Sequence, residues 1–165
     1  MVDIISAVTH DTSEAKMTVS GVPDQPGVAA KLFRSLADAD VNVDMIVQNV
    51  SDAGATDISF TLPHEQVSAA TATVNALVAE IGAKGVVTDT GIGRVSLTGA
   101  GMQTNPGVAA TMFETLSTSG INIEMISTSA IRISCVVRED QAEQAVTVLH
   151  AAFELDKAPA NRSDI

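Results

Sequence analysis

The sequence is poor in aromatic residues, since its 165 residues include four phenylalanines and neither tryptophan nor tyrosine. Proteins that bind single-stranded nucleic acid stack bases on aromatic side chains, so this scarcity argues against that function. Basic residues are also few, with 9 Lys and Arg against 20 Asp and Glu. The resulting net charge of −11 opposes binding to phosphate backbones or anionic lipid over a broad surface. We therefore expect no nucleic-acid partner and no membrane partner.

Cysteine is nearly absent. The single Cys135 excludes an internal disulfide and a cysteine-rich zinc site, and we expect it to be a small buried core residue. His10, His64 and His150 are isolated from one another, so neither a metal site nor a cofactor is expected. No apolar run approaches the roughly 18 residues that span a bilayer, and the N-terminus lacks the pattern of a secretory signal. These absences predict a soluble cytoplasmic protein.

Aliphatic residues and an internal repeat dominate what is present. Hydrophobic residues make up 45% of the chain, enough for a packed core that must be largely aliphatic. The segment PGVAA at residues 26–30 recurs at residues 106–110, an offset of 80. At the same offset, VNVDMI at residues 41–46 matches INIEMI at residues 121–126. The chain is therefore a duplication, which predicts two copies of one fold.

Each copy has the pattern of alternating strands and amphipathic helices. In the first copy, the periodicity predicts a strand at 15–20 that ends at Gly21, and then a helix that is opened by Pro26-Gly27 and ends near Asp40. Two strands follow at 43–50 and 56–62. A second helix at 67–81 and a closing strand at 86–87 complete the copy. The second copy repeats this order at 94–98, 107–119, 122–128, 132–137 and 140–153, but it lacks a closing strand.

A strand-like run at residues 4–8 compensates for that missing strand. If it completes the second copy, the first domain (15–90) is inserted into the second (3–10 plus 93–155), and 156–165 is a flexible tail. The order βαββαβ predicts an α+β, ferredoxin-like fold, in which two helices cover one face of a four-stranded antiparallel sheet. Because one face and the edges of each sheet stay uncovered, we expect a homodimer.

No group of residues in the sequence has the spacing of a known catalytic motif. The glycine pairs at 91–93 and 99–101 continue into neither a dinucleotide fingerprint nor a P-loop. A small metabolic enzyme on the same ferredoxin-like plan remains an alternative at this point, because that fold hosts many functions. No catalytic residue is predicted.

The duplicated loop before the first helix is the better candidate site. Pro26-Gly27 opens a helix whose first amides can receive a carboxylate. Asp24 could hold an ammonium, and Asn42 and Gln48 offer amide groups that both donate and accept. Together these groups are the ones that a site for an amino acid needs. The alternative is that Pro-Gly merely starts the helix and Asp24 merely caps it.

The repeated pattern of glycine, polar loop and Pro-Gly-Val-Ala-Ala, followed by Val/Ile-Asn-Val/Ile-Asp/Glu-Met-Ile, resembles the tandem ACT domains of aspartokinases. The resemblance covers nearly the whole chain and both copies, and the family has the inserted-domain arrangement. Nothing here resembles the Lys-Phe-Gly-Gly opening of the kinase domain. The chain resembles the separate regulatory β subunit of α2β2 aspartokinases, which implies a catalytic α subunit as partner and no kinase activity of its own.

In that family, threonine binds where the first ACT unit of one chain meets the second unit of another, in concert with lysine in many members. The resemblance implies that a first group of residues grips the effector: Asp24, Gln25, Pro26, Gly27, Val28 and Ala29, with Asn42, Val43, Asp44 and Gln48 on the strand side. It implies that a second group contributes across the interface or frames the related pocket: Val108, Ala109, Asn122, Ile123, Ser129 and Ala130. Ser51 and Ser59 lie where the family places residues that affect feedback sensitivity.

The two copies differ where the ammonium would bind. The second copy has Thr104 in place of Asp24 and Asn105 in place of Gln25, so its loop should hold an ammonium less well and the two copies should not bind the same ligand equally. The alternative function is a regulatory subunit of another biosynthetic enzyme, such as the small subunit of acetolactate synthase, which would respond to valine.

Overall fold

The computed structural model describes residues 5–50, 54–100, 102 and 105–155. The chain divides into two compact units. We call Ser13–Ile92 the first-repeat unit, and Met1–Thr12 together with Gly93–Ile165 the second-repeat unit. Residues 3–4 of the predicted second domain and the predicted tail at 156–165 lie outside the described residues.

The first-repeat unit has the strand and helix order expected of each copy. Its elements are β2 (Glu14–Pro23), α1 (Val28–Asp38), β3 (Ile46–Val50), β4 (Ala55–Pro63), α2 (Val67–Ile81) and β5 (Gly85–Asp89). A short 3-10 helix, His64–Gln66, precedes α2. The strands form one antiparallel sheet in the order β3-β4-β2-β5.

The second-repeat unit has the same plan, and its fourth strand comes from the start of the described chain. Its elements are β1 (Ile5–Asp11), β6 (Ile92–Gly99), α3 (Gly107–Thr118), β7 (Met125–Thr128), β8 (Arg132–Arg138), a 3-10 helix (Glu139–Gln141) and α4 (Ala142–Ala152). The sheet order is β1-β6-β8-β7, with β1 antiparallel to β6. The predicted α+β fold, with two four-stranded antiparallel sheets and ferredoxin-like repeats, is confirmed.

The core of the first-repeat unit lies between its helices and one face of its sheet. Leu32 and Leu36 are one turn apart on α1 and fully buried, and each such side chain contributes about 1.5–3 kcal/mol by leaving water. On β4, alternate residues face this core, among them Ile58 and Phe60. Phe33 meets Phe60 edge to face, with ring centroids 5.7 Å apart. The buried faces of the helices and of the sheet therefore meet in one aliphatic core that contains few aromatic rings.

The core of the second-repeat unit follows the same logic. Val108, Met112 and Leu116 recur every four residues on α3 and are all buried. They pack in one cluster with Phe153 and with Cys135 on β8. Cys135 has no exposed surface, so its predicted place in the core is confirmed.

Each of the four α-helices in the described residues is followed, within two positions, by a residue with positive φ. The residues are Asp40 (59°), Gly82 (77°), Gly120 (73°) and Glu154 (58°). After α1, the N–H of Val41 donates to the carbonyl of Leu36 at 3.0 Å, and equivalent bonds close the other three helices. This pattern is typical of a Schellman ending, which satisfies carbonyls that the last turn leaves open.

The prediction that β2 ends at Gly21 is wrong. The strand continues to Pro23 through a register shift between Val19 and Val22. Gly21 has a φ of +64°, and its N–H donates to Asp57 Oδ1 at 3.0 Å, so the backbone irregularity is satisfied within the sheet. A glycine that signals a strand end in the sequence is here a bulge.

The strands after α1 and α3 begin later than predicted. β3 starts at Ile46 rather than at residue 43, and β7 starts at Met125 rather than at 122. At the start of β3, the side chain of Thr61 accepts the N–H of Met45 at 2.9 Å. The backbone of Thr61 also pairs there, because its carbonyl accepts the N–H of Asp44 at 2.9 Å and its N–H donates to the carbonyl of Met45 at 3.0 Å, so residues 44–45 bond to β4 before the regular strand begins.

Candidate functional site

The loop between β2 and α1 has a defined backbone. The N–H of Asp24 donates to the carbonyl of Gly54 at 2.9 Å, and the N–H of Gln25 donates to the carbonyl of Pro23 at 2.9 Å. Gly27 has a φ of +90° and immediately precedes α1, which begins at Val28. The first helical bond in this region runs from the N–H of Lys31 to the carbonyl of Gly27. The loop thus delivers Asp24, Gln25, Pro26 and Gly27 to the N-terminal end of α1, where all four are exposed.

Asp24 does not cap the helix. The N-terminus of α1 has no side-chain capping bond, so the capping alternative is wrong. Within residues 5–50, 54–100, 102 and 105–155, no hydrogen bond or ion pair involves the Asp24 carboxylate. An exposed carboxylate beside open helix amides can serve an ammonium and a carboxylate at once, which is the pairing that an amino acid presents.

The strand-side candidates of the first repeat lie in two places. Asn42, Val43 and Asp44 connect α1 to β3, and Asn42 and Asp44 are exposed while Val43 packs against the core. Gln48 lies on β3 opposite Ile58. Because α1 has 11 residues, its two ends are about 16 Å apart. The structure therefore does not bring Asn42 to the Asp24 loop within the unit.

In the second repeat, Asn122 and Ile123 line an open cleft. The cleft has a volume of about 390 Å³ and lies where α3 ends. Its lining residues are Phe113, Ser117, Gly120, Ile121, Asn122 and Ile123. Two of the predicted site residues thus belong to a cavity large enough for a small amino acid.

The remaining candidates of the second repeat are scattered. Val108 is buried in the core, so its side chain does not face a ligand, and Ala109 is half-buried at the start of α3. Ser129 and Ala130 are exposed in the turn between β7 and β8, where the N–H of Ser129 donates to the carbonyl of Arg132 at 2.8 Å. Thr104 lies outside the described residues.

Of the two serines predicted to affect feedback sensitivity, the structure describes Ser59. Ser51 lies outside the described residues. Ser59 is on β4, opposite Thr18, and the two hydroxyl oxygens are 2.8 Å apart. Ser59 therefore belongs to the sheet and not to the loop that carries Asp24.

Two glutamines near the site were missed from the sequence. Gln66 Oε1 accepts the backbone N–H of Asn42 at 2.6 Å, and Gln141 Nε2 donates to the backbone carbonyl of Gly120 at 3.3 Å. They are equivalent residues, 75 positions apart, and each directly precedes the second helix of its unit. That identity at a constant offset is the sequence signal that could have found them.

Metal and membrane features were also sought. Across the described ranges, no three His, Cys, Asp or Glu residues are grouped so that they could hold a metal ion. The helices in the same ranges are all too short or too polar to cross a lipid bilayer.

The comparisons with known proteins agree with this arrangement. A model of the ACT domain family matches residues 6–77 and 95–153. The aspartokinase of Mycolicibacterium smegmatis is 51% identical over 154 residues, which is 92% of this chain and 37% of that protein. The aspartate kinase of Pseudomonas fluorescens is 48% identical over 98% of this chain and 39% of its own length. The chain thus spans less than half the length of these relatives.

The chain matches some solved structures over nearly their full length. The regulatory subunit of aspartate kinase from Thermus thermophilus, in its ligand-free form, is 37% identical with a TM-score of 0.85 and covers 90% of this chain and 99% of that one. A chain from a structure of aspartokinase alpha and beta subunits is 41% identical with a TM-score of 0.85, over 91% of this chain and 99% of that one. The protein therefore belongs to the ACT-domain family, with a tandem pair of ACT domains of the kind found in aspartokinase regulatory subunits.

Proposed function

We propose that this chain binds threonine, in concert with lysine, at ACT interfaces between two copies of the chain and so mediates feedback inhibition of an aspartate kinase in the cytoplasm. The inhibited enzyme would supply the common precursor of lysine, threonine and methionine. Its catalytic α subunit would be a separate chain in an α2β2 assembly, and the regulatory chain would have no kinase activity of its own. The similarity to regulatory subunits over nearly their full length supports this assignment.

The Asp24 loop is the observation that carries the proposal. Its carboxylate is exposed and makes no bond to the described residues, and it lies beside an uncapped helix N-terminus. The second copy lacks this carboxylate, because Thr104 replaces it. An α-amino acid, with its adjacent ammonium and carboxylate, is the ligand class that both features favour.

The distance along α1 supports binding between chains. A small amino acid cannot touch both the Asp24 loop and Asn42, which lie at opposite ends of an 11-residue helix. This separation favours a site in which a second repeat completes the loop of the first. A homodimer supplies that second repeat, and a ligand that bridges the two chains stabilises whichever quaternary state closes the pocket.

Regulation then follows from linkage. An effector can shift kinase activity only by its difference in affinity for the two states, with a coupling free energy of about 1–3 kcal/mol. Two effectors that favour the same state would inhibit in concert.

Titration calorimetry of the purified chain with threonine, lysine, methionine and valine tests the proposal, with sedimentation of each mixture. We expect heat with threonine and an increase in the dimer fraction. A response to valine alone would instead assign the chain to the acetolactate synthase type of regulation. Kinase assays with a catalytic α subunit added would show threonine inhibition, and assays of the chain alone would show no turnover.

The variant Asp24→Asn should lower threonine affinity about tenfold, because one charge-assisted hydrogen bond to the ammonium is lost. Asp38→Asn is the control, because Asp38 is also an exposed carboxylate but lies at the other end of α1, where it pairs with Arg34. Equal affinity in both variants would refute the ammonium role of Asp24.

A further inference from the structure

An ion pair in the second-repeat unit joins the end of β8 to the segment between α3 and β7. We call that segment, residues 119–124, the second connector. Arg138 is the last residue of β8, and its Nε lies 2.9 Å from Oε2 of Glu124. The Glu124 side chain is 18% exposed and the Arg138 Nε is buried, so each charge stabilises the other in a place that water solvates poorly.

Two glutamines that follow β8 hold the start of the same connector. Gln141 Nε2 donates to the carbonyl of Gly120 at 3.3 Å, and Gln144 Nε2 donates to the carbonyl of Ser119 at 3.5 Å. The second connector is thus held by hydrogen bonds at its start and by the ion pair at its end.

The first-repeat unit lacks two of these three side chains. Its equivalent segment is residues 39–44, which we call the first connector. At the positions equivalent to the arginine and to the second glutamine, 75 positions earlier, it has Pro63 and Ala69, which carry neither a charge nor a side-chain donor. The residue equivalent to Glu124 is Asp44, which is exposed. One fold therefore presents two connectors that are fixed to different degrees.

The ion pair bears on the proposed site because the second connector contains Asn122 and Ile123. These are the residues that the second repeat is expected to contribute across the interface. A segment that must first become ordered lowers the apparent affinity by the fraction of molecules in which it is already in place. A connector that is held before the ligand arrives therefore binds more tightly.

We propose that Arg138 is a positioning residue of the effector site, which pairs with Glu124 and so holds the second connector in the conformation that the second repeat contributes to the site. This inference rests on the proposed function and adds a residue that touches no ligand itself. Arg138 acts through Glu124, and the first repeat has no equivalent cation because Pro63 stands at that position.

The test uses the whole chain, with threonine as the probe. Arg138→Gln and Glu124→Gln each remove one charge of the pair, and Arg138→Lys keeps the positive charge without the planar guanidinium. Arg34→Gln is the control, because Arg34 pairs with Asp38 on α1, where both side chains are exposed. Calorimetry measures threonine affinity, and urea unfolding reports whether each variant retains the fold.

Hydrogen exchange of backbone amides, read by NMR without ligand, measures how often each connector opens. The N–H of Glu124 donates to the carbonyl of Val136 at 2.8 Å, and the N–H of Asp44 donates to the carbonyl of Thr61 at 2.9 Å. Both amides are therefore protected until their connector opens. In the unmodified chain we expect the Glu124 amide to exchange about tenfold more slowly than the Asp44 amide, after correction for intrinsic rates.

Loss of either charge should loosen the second connector and weaken binding together. In Arg138→Gln and in Glu124→Gln we expect exchange of the residue 124 amide to be about tenfold faster and threonine affinity about fivefold lower. Arg138→Lys should restore most of both values, and Arg34→Gln should change neither. The double variant should bind threonine no more weakly than the single ones, because the second change removes a contact that is already lost.

Faster exchange in Arg138→Gln with unchanged threonine affinity would show that Arg138 only stabilises the fold, and it would overturn the inference while the proposed function stands. Unchanged exchange in that variant, or an equal loss of affinity in Arg34→Gln, would overturn it as well. If Arg138→Gln does not fold, Glu124→Gln and Arg138→Lys decide by the same criteria. Absence of heat from the unmodified chain with threonine, lysine, methionine and valine would refute the proposed function and the inference together.

Discussion

The backbone N–H of Asp24 donates to the carbonyl of Gly54 across 2.9 Å. This bond joins the loop that carries the candidate ammonium ligand to the turn between β3 and β4. Pro23, the last residue of β2, pairs with Ala55 directly beside it. The position of the Asp24 carboxylate therefore depends on the conformation of a turn that is more than 25 residues away in the sequence.

The variant Gly54→Ala should weaken both the turn and the threonine site. Gly54 has a φ of +77°, which an alanine adopts at a cost of about 1 kcal/mol, although nothing lies within 4 Å of the added Cβ. We expect that loss in urea unfolding and a severalfold lower threonine affinity in calorimetry. Gly85→Ala is the control, since its Cβ also meets nothing and its φ is not positive. A destabilised variant with unchanged affinity would show that the Asp24–Gly54 bond does not position the loop.

The variant Asp40→Gly should stabilise the first-repeat unit. Asp40 has a φ of 59° at the end of α1, where α3 has Gly120. Glycine removes the strain of a Cβ in the left-handed region and removes a negative charge from a helix C-terminus. We expect a gain of about 0.5–1 kcal/mol in urea unfolding. The reverse change, Gly120→Asp, should cost a similar amount, and equal stabilities in both experiments would contradict the argument.

Much of this fold could be predicted from the sequence because the repeat gives two independent readings of one pattern. The spacing of Val74, Leu77 and Ile81 predicted α2, whose bounds agree at Val67 and Ile81. The strand count of the second copy pointed to the start of the chain, and β1 lies beside β6. Periodicity is reliable here because burial on one face determines each of these elements.

Several errors occur beside contacts between a side chain and a distant backbone group. Thr61 accepts the N–H of Met45 just before β3 begins, and Asp57 accepts the N–H of Gly21 at the irregularity within β2. Gln66 was overlooked for the same reason, since its partner is the backbone of Asn42, 24 residues earlier. Such contacts depend on tertiary structure, which local periodicity does not contain.

The hydroxyl pair formed by Thr18 and Ser59 should contribute to stability in a cooperative way. The two oxygens are 2.8 Å apart across β2 and β4, and the second-repeat unit has an equivalent pair, Ser96 and Ser134, at 2.7 Å. We expect Ser59→Ala to cost about 1 kcal/mol, and Thr18→Val to add little to it in a double-mutant cycle. Ser96→Ala should cost more, about 1–3 kcal/mol, because the buried hydroxyl of Ser134 is then left without its partner. Full additivity of Thr18→Val and Ser59→Ala would show that the contact is energetically irrelevant. The effect of Ser59 on feedback sensitivity stays a prediction.

Burial of Cys135 should make the protein less stable in alkali. Burial raises the pKa of this thiol from 9.0 to about 12, because the core does not solvate a thiolate. Between those values the unfolded chain loses the thiol proton and the folded chain keeps it, so ionisation favours unfolding as the pH rises. The free energy of unfolding should therefore fall by about 1.4 kcal/mol per pH unit from pH 9 towards 12, on top of the contributions of other groups.

Urea unfolding at several pH values measures this slope, and Cys135→Ala serves as the control. That variant should be less stable at pH 7 because of the cavity it creates, but its stability should decline less steeply above pH 9. Parallel declines in the two proteins would mean that the folded chain ionises Cys135 as readily as the unfolded one.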